Sequence, residues 1–226
     1  MYRLISIVFI ISLLSLQSIN AKEIDLVTFE TSPIGKYLSY FPESGDTPLT
    51  LTDAQNVFDS GQVFTQNRQT ISRGVYVEPT WFKTTINNRA SLSTQYRLTI
   101  ETPWLDYIDV YLVNDSGPLQ HIKGGDYLPI SKQPIFDRFF AMDIQFEKGL
   151  TDIYIRIATE SVMPVPIKLS TVEDAIHNAS NDKFQYGFLY GILVALALYN
   201  AVLFFSIRKQ IFGLYALYIL GFVVNR

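Results

Sequence analysis

From Asp106 to Val113 apolar and polar side chains alternate, with Ile108, Val110 and Leu112 on one face and Tyr107, Asp109 and Tyr111 on the other. The stretch from Asp152 to Thr159 repeats the pattern, setting Ile153, Ile155 and Ile157 against Tyr154, Arg156 and Ala158. A period of two predicts strands with one face in a core. Further strands are expected at Lys36 to Phe41, Thr80 to Ile86, Thr94 to Ile100, Leu119 to Lys123, Phe139 to Phe146 and Val165 to Ser170. Turn signals separate them, among them Asn87-Asn88, Gly124-Gly125 and Glu147-Lys148-Gly149. About eight short strands at this spacing predict an all-β jelly roll or antiparallel β-sandwich. An amphipathic helix is expected at Thr52 to Phe58, with Thr52 as its N-cap and Asp53 in the first turn.

The pattern changes after Thr171, where a second helix is expected to run to about Asn181 and lead into an apolar run. Gln185 to Ile207 carries no charge and no polar stripe over about 23 residues, enough for a helix to cross a bilayer. Tyr186 and Tyr190 suit an interfacial belt, and Gly187 and Gly191 would let another helix approach. Asn200 is polar and deep in the span, so it should face other helices or a wet cavity. Arg208-Lys209-Gln210 predicts a tight cytoplasmic turn by the positive-inside rule. Ile211 to Arg226 then reads as a second, truncated transmembrane helix, about 14 apolar residues long.

At the other end, a basic Met1-Tyr2-Arg3, an apolar Leu4 to Leu16 and Ala21 before Lys22 read as a secretory signal peptide over 1–21. An uncleaved anchor is the alternative, because isoleucine stands third before the cut. The expected layout is an N-terminal extension at 22–50, a sensor-sized domain at 51–172, a pre-membrane helix at 173–184, the first span at 185–207, the turn at 208–210 and the second span at 211–226. Either reading of the N-terminus exports the middle region.

Composition narrows the chemistry. The chain has no cysteine, which removes disulfides, thiol nucleophiles and Cys-ligated metals. Its net charge of −3, without a basic cluster, argues against nucleic acid. The histidines are His121 and His177, too few for a zinc site or a Ser-His-Asp triad with adequate partners. Asp106 and Asp109 cannot serve as a glycosidase pair, because odd spacing on a strand sends them to opposite faces. No catalysis, metal or cofactor is expected.

The order TWFKTTINN, STQYRLTIETPWLDYIDVYLV, a Gly-Gly turn, FDRFFAMDIQFEKGLTDIYIRIAT and MPVPIKLS resembles the periplasmic domain of bacterial seven-transmembrane receptors with diverse intracellular signalling modules. QYGFLYGILVALALYNAVLFFSIRKQIFGLYALYIL resembles the start of that family's seven-helix region, with its Gly-x-x-x-Gly opening and the Tyr199-Asn200 pair. The resemblance runs from about Leu51 to the last residue. It implies a jelly-roll sensor similar to carbohydrate-binding modules in the periplasm of a bacterial inner membrane. In the family, a diguanylate cyclase, histidine kinase or phosphatase output commonly follows the seven helices. The sequence stops short of those parts.

Binding is the chemistry the residues favour. Sugars are held by aromatic faces together with Asp, Asn or Arg for their hydroxyls, and pockets combine apolar walls with a few placed polar groups. Tyr107, Asp109 and Tyr111 share one strand face, and Tyr154 and Arg156 share a face of another, so the two sets could meet on a concave sheet. Arg138, in Asp137-Arg138 beside Phe136 and Phe139, is a further candidate as a ligand clamp; a structural ion pair is the competing reading. Trp81 and Trp104 read as core or turn anchors. The expected function is periplasmic sensing of a small ligand, a carbohydrate by preference, by a receptor in the lipid bilayer, with a homodimer through its helices as a further partner. The alternative is a membrane-tethered binding module, or receptor remnant, without signalling.

Overall fold

The computed structural model describes residues 23–224 apart from 46, 76, 77, 91 and 136. The predicted signal peptide at 1–21 lies outside the described residues, as do positions 225 and 226 of the second predicted span. The strands are β1 (Ile24–Asp25), β2 (Ser32–Pro33), β3 (Ser39–Pro42), β4 (Phe64–Thr65), β5 (Ile71–Ser72), β6 (Thr80–Asn88), β7 (Thr94–Ile100), β8 (Tyr107–Asn114), β9 (Gly117–Gly124), β10 (Phe140–Phe146), β11 (Gly149–Ala158), β12 (Pro164–Val165) and β13 (Ile167–Thr171). The helices are α1 (Leu51–Asp59), α2 (Val172–Ile207) and α3 (Gln210–Val224). The described residues up to Val172 form one compact unit and those from Glu173 another.

The first unit is a sandwich of mostly antiparallel sheets. One sheet runs β4-β3-β6-β11-β8-β9, with β1 joining β6 in parallel; the other runs β10-β7-β13-β2. β6 shares one edge between two partners, pairing β3 through Thr80 to Lys83 and β1 through Ile86 and Asn87. The stretch 22–50, expected as an extension, thus contributes β1, β2 and β3 to both sheets.

The alternating strands put their aliphatic faces inward. Ile153, Ile155 and Ile157 of β11 and Ile108, Val110 and Leu112 of β8 meet Leu98, Ile100, Met142, Ile144, Ile167 and Leu169 of the facing sheet. Burial of such side chains, each worth about 1.5–3 kcal/mol, is the main stabilising force in a domain that has no disulfide.

Two expectations shift. The N-cap of α1 is Thr50 rather than Thr52: its hydroxyl accepts the Asp53 N–H at 3.3 Å, and the Asp53 carboxylate accepts the Thr50 N–H at 3.0 Å. That reciprocal capping box satisfies two otherwise orphaned donors and starts the helix two residues earlier than the cap read from sequence. The strand expected from Lys36 begins only at Ser39, because Gly35–Tyr37 forms a 3₁₀ turn. Gly35 lies against the backbone of Arg68 and Gln69, where any added Cβ would run into the Gln69 carbonyl. The two-residue strands were invisible to periodicity, being shorter than one alternation.

In the second unit, α2 is long and apolar enough to cross a membrane, and the pre-membrane helix is simply its first turns. Asn200 is buried, and its amide donates to the Leu196 carbonyl one turn back at 2.8 Å. Arg208 turns the chain at φ 53°, and α3 packs its Gly213 against the ring of Phe204.

Replacing Ile155, fully buried between the sheets, with Ala is expected to cost about 2–5 kcal/mol. Leu119→Ala, at an exposed position on β9, should stay within about 0.5 kcal/mol. Urea unfolding followed by tryptophan fluorescence measures both.

Candidate functional site

The polar faces of the central strands line up in cross-strand rows. Trp81, Arg156, Asp109 and Lys123 stand opposite one another across β6, β11, β8 and β9, and Lys83, Tyr154, Tyr111 and His121 form the next row. The structure therefore brings Asp109 opposite Arg156 and Tyr111 opposite Tyr154, with Tyr107 further along the same face opposite Ala158. Arg138 lies elsewhere, in the connection between β9 and β10.

Helix α1 covers one half of this face. Its Ala54 and Phe58 close over Phe41, Trp81 and Tyr154 in a second, smaller core, with Phe58 edge-on to Phe41 and Tyr154. Tyr154 is 2 % exposed and fills this core instead of lining an open surface. Beside it sits Glu43, whose carboxylate accepts from Trp81 Nε1 at 2.7 Å and from Arg156 Nε and Nη2, each at 2.7 Å. Burial pushes the Glu43 carboxyl up, but the hydrogen bonds from Arg156 and Trp81 and the Arg156 charge outweigh it and hold it below the ordinary range. The same carboxylate raises Arg156 against the opposing effect of its burial. Arg156 is thus committed to the fold. Burial also pushes the Tyr154 hydroxyl up. Lys83 would be lowered by burial, yet its bond to Asp152 at 2.9 Å and its contact with Tyr154 raise it.

The other half of the face is open. His121 stacks on Tyr111 at 4.1 Å and 9°, and Tyr111 in turn stacks on Trp81 at 5.7 Å. The His121 Nε2 lies 2.7 Å from Asp109 Oδ1, which fixes the plane of the ring. Burial, then the Asp109 charge, raises the Tyr111 hydroxyl. At the end of β8 the Tyr107 ring stacks on Tyr127 at 4.9 Å, with exposures of 48 % and 70 %. The Tyr127 N–H donates to the Asp106 carbonyl, and Gly125 makes this approach possible, since a Cβ there would strike that carbonyl. Tyr107 and Tyr111 are separated by about 13 Å of strand, so the strip from Tyr127 to His121 is an extended aromatic surface with Asp109 and Lys123 between its rings.

A cleft of about 260 Å³ opens at the end of the sandwich, floored by Ile108 of one sheet and Phe140 of the other. Asp126, Gln133, Asp137 and Arg138 line its wall. Asp137 Oδ1 accepts the Arg138 backbone N–H at 2.6 Å, and the Arg138 guanidinium lies over the Phe139 ring. The cleft is at the opposite end from the chain's exit: β13 begins at Ile167, paired with the same Ile100 that pairs Phe140, and ends at Thr171, beside Tyr96. Among the described residues, no group of three or more His, Asp or Glu could hold a metal ion.

Residues 35–171 match the family model described as 7TMR-DISM extracellular 2, and residues 182–225 match the model described as 7TM diverse intracellular signalling. The chain belongs to the 7TMR-DISM family. Its members are membrane receptors with an extracellular domain, and the two matched models describe a sensory and a membrane region of a 7TMR-DISM protein, not an enzymatic domain. No curated protein matches the chain. Similar solved structures include a native family 35 carbohydrate binding module from Clostridium thermocellum, at 11 % identity and TM-score 0.26, covering 44 % of this chain and 85 % of that one. Another is CsCBM6-3 from Clostridium stercorarium in complex with cellobiose, at 17 % identity and TM-score 0.23, covering 45 % and 82 %. Both likenesses are distant in sequence and in superposition.

In this 7TMR-DISM ectodomain, sequence reasoning missed Glu43, His121 and Tyr127 as parts of the site. The register of the β8–β9 hairpin would have set His121 beside Tyr111. Nothing local marks Glu43, whose partner Arg156 is 113 residues away.

Removing one member of the buried pair should be costly: Arg156→Ala is expected to lose about 3–5 kcal/mol, since it strands the Glu43 charge. Because the folded Glu43 is held below its unfolded value, its contribution is present above the ordinary glutamate range of about 4.3 and is lost as pH falls through the lowered folded value. Melting curves between about pH 6 and 3 should therefore show a smaller acid-induced drop in Tm for Glu43→Gln than for the wild type.

Proposed function

We propose that the sandwich is the ligand-sensing ectodomain of a bacterial inner-membrane receptor, facing the periplasm, and that its ligand is a small carbohydrate held on the open strip of β8 and β9. The observation that carries this reading is the pair of stacked, solvent-exposed rings of Tyr107 and Tyr127, in line with Asp109, His121 and Tyr111. Flat aromatic rings suit the apolar face of a pyranose, and Asp109, His121 and Lys123 offer both acceptors and donors for its hydroxyls. Tyr107, Asp109 and Tyr111 would touch the ligand. Tyr154 and Arg156 would hold the strip from beside it on the same face, through the core under α1 and the bond to Glu43.

Transmission has a direct covalent route. β13 ends at Thr171 and α2 starts at Val172, so a bias in the sheet would pass into the apolar helix without an intervening loop. The ligand would act by favouring one of two arrangements of that junction.

A glycan array probed with the full chain, solubilised in a zwitterionic detergent to avoid competing sugar headgroups, tests the ligand class. Binding to at least one glycan is expected. Tyr107→Ala and Tyr127→Ala should each weaken it about tenfold, in keeping with about 1–1.5 kcal/mol per aromatic contact. Absence of binding to every glycan by a folded chain would remove the carbohydrate reading.

A further inference from the structure

The rings of the strip stack toward the free edge of the sheet. Trp81 covers one face of Tyr111 at 5.7 Å and His121 covers the other at 4.1 Å, so Tyr111 offers a ligand its edge and hydroxyl. The ring face left open at this end is the outer one of His121, on β9, the last strand of its sheet. The His121 side chain keeps 38 % exposure.

The charged groups around that ring differ in how far they are committed. Arg156 is bound to Glu43 at 2.7 Å, and Asp109 Oδ1 lies 2.7 Å from His121 Nε2, with 18 % of the Asp109 side chain exposed. Lys123 stands two residues from His121 on the same face of β9, opposite Asp109 in register. It is exposed, and among the described residues its ammonium has no hydrogen-bond or ion-pair partner. Asp126, the next carboxylate along the chain, lines the end cleft. The charged group most open to a ligand on the strip is therefore a cation, with three donors, no acceptor and a flexible stem.

We propose that Lys123 sets the specificity of the strip toward acidic sugars: a uronic acid rests its ring on the outer face of His121 and places its carboxylate against the Lys123 ammonium. This rests on the carbohydrate reading of the strip and names the class of sugar. Residues two apart on a strand are separated by about 7 Å, a span that a pyranose ring and its exocyclic carboxylate bridge. A neutral hexose would use the same ring face but would bring only hydroxyls to Lys123, and hydrogen bonds gain strength when both partners are ionised. Because Lys123 stays in contact with water, the gain is that of an exposed ion pair, which makes a preference of a few fold.

Isothermal titration calorimetry of the full chain in a zwitterionic detergent, against uronic acids each matched with its neutral parent hexose and its methyl ester, tests the assignment. At least one uronic acid should bind about fivefold more tightly than its parent and its ester. Lys123→Gln should remove that difference while leaving the affinity for the neutral hexose unchanged, which also reports that the variant is folded. Lys123→Arg should retain the difference. Raising the ionic strength to about 1 M, where the Debye length falls to about 3 Å, should shrink it. A uronic acid that binds no more tightly than its parent, or a preference that survives in Lys123→Gln, would overturn the proposal and leave the carbohydrate reading standing. Absence of binding to every sugar, acidic or neutral, would remove both.

Discussion

The central strand β11 has to satisfy two environments at once. It pairs with β6 on one side and β8 on the other, so neither of its edges is free and both of its faces are covered along much of its length. Period-two geometry then forces a division of labour. Ile153, Ile155 and Ile157 supply the floor of the main core, while Tyr154 and Arg156, one position out of phase, organise everything on the opposite face. A one-residue slip would exchange the two sets and destroy both. The position of α1, the bond to Glu43 and the orientation of the neighbouring β8 face all follow from that register.

The Glu43–Arg156 contact is the most exacting consequence. Placing a carboxylate at 5 % side-chain exposure is costly unless each of its lone pairs is used, and here Trp81, Arg156 and the Leu49 N–H use them. With its far end fixed, the segment after Glu43 folds back as α1 and seals one half of the sheet. What remains uncovered is therefore defined by what α1 reaches. Tyr111 marks the boundary, stacked on buried Trp81 to one side and on exposed His121 to the other.

The strands and their inward faces could be read from the sequence because alternation is a local signal, carried within eight residues of DYIDVYLV or DIYIRIAT. The pairing of β8 with β11 could not, because no local property of either strand names its neighbour. Tyr107, Tyr154, Asp109 and Arg156 occupy equivalent places in their alternating patterns, yet Tyr107 faces solvent, Asp109 is half-buried against His121, and Tyr154 and Arg156 serve the fold. The difference is set by α1, whose amphipathic pattern announced a helix but not where it would land. Thr50 and Asp53 illustrate the same limit on a smaller scale, since Thr52 was read as the cap and only the reciprocal hydrogen bonds assign that place to Thr50. That α2 is long and apolar enough to cross a membrane was legible throughout, because the length of the uncharged run from Gln185 to Ile207 is a local property of the sequence.

The division of the outer sheet face into a sealed half and an open half is the claim on which the binding account rests. Hydroxyl-radical footprinting of the full chain in nanodiscs measures it residue by residue. Tyr107, Tyr127, Trp104 and His121 should be oxidised readily, while Trp81, Tyr154 and Phe58 are protected. Labelling of Trp81 and Tyr154 at rates comparable with Tyr127 would show that α1 does not cover the sheet, and would contradict the account.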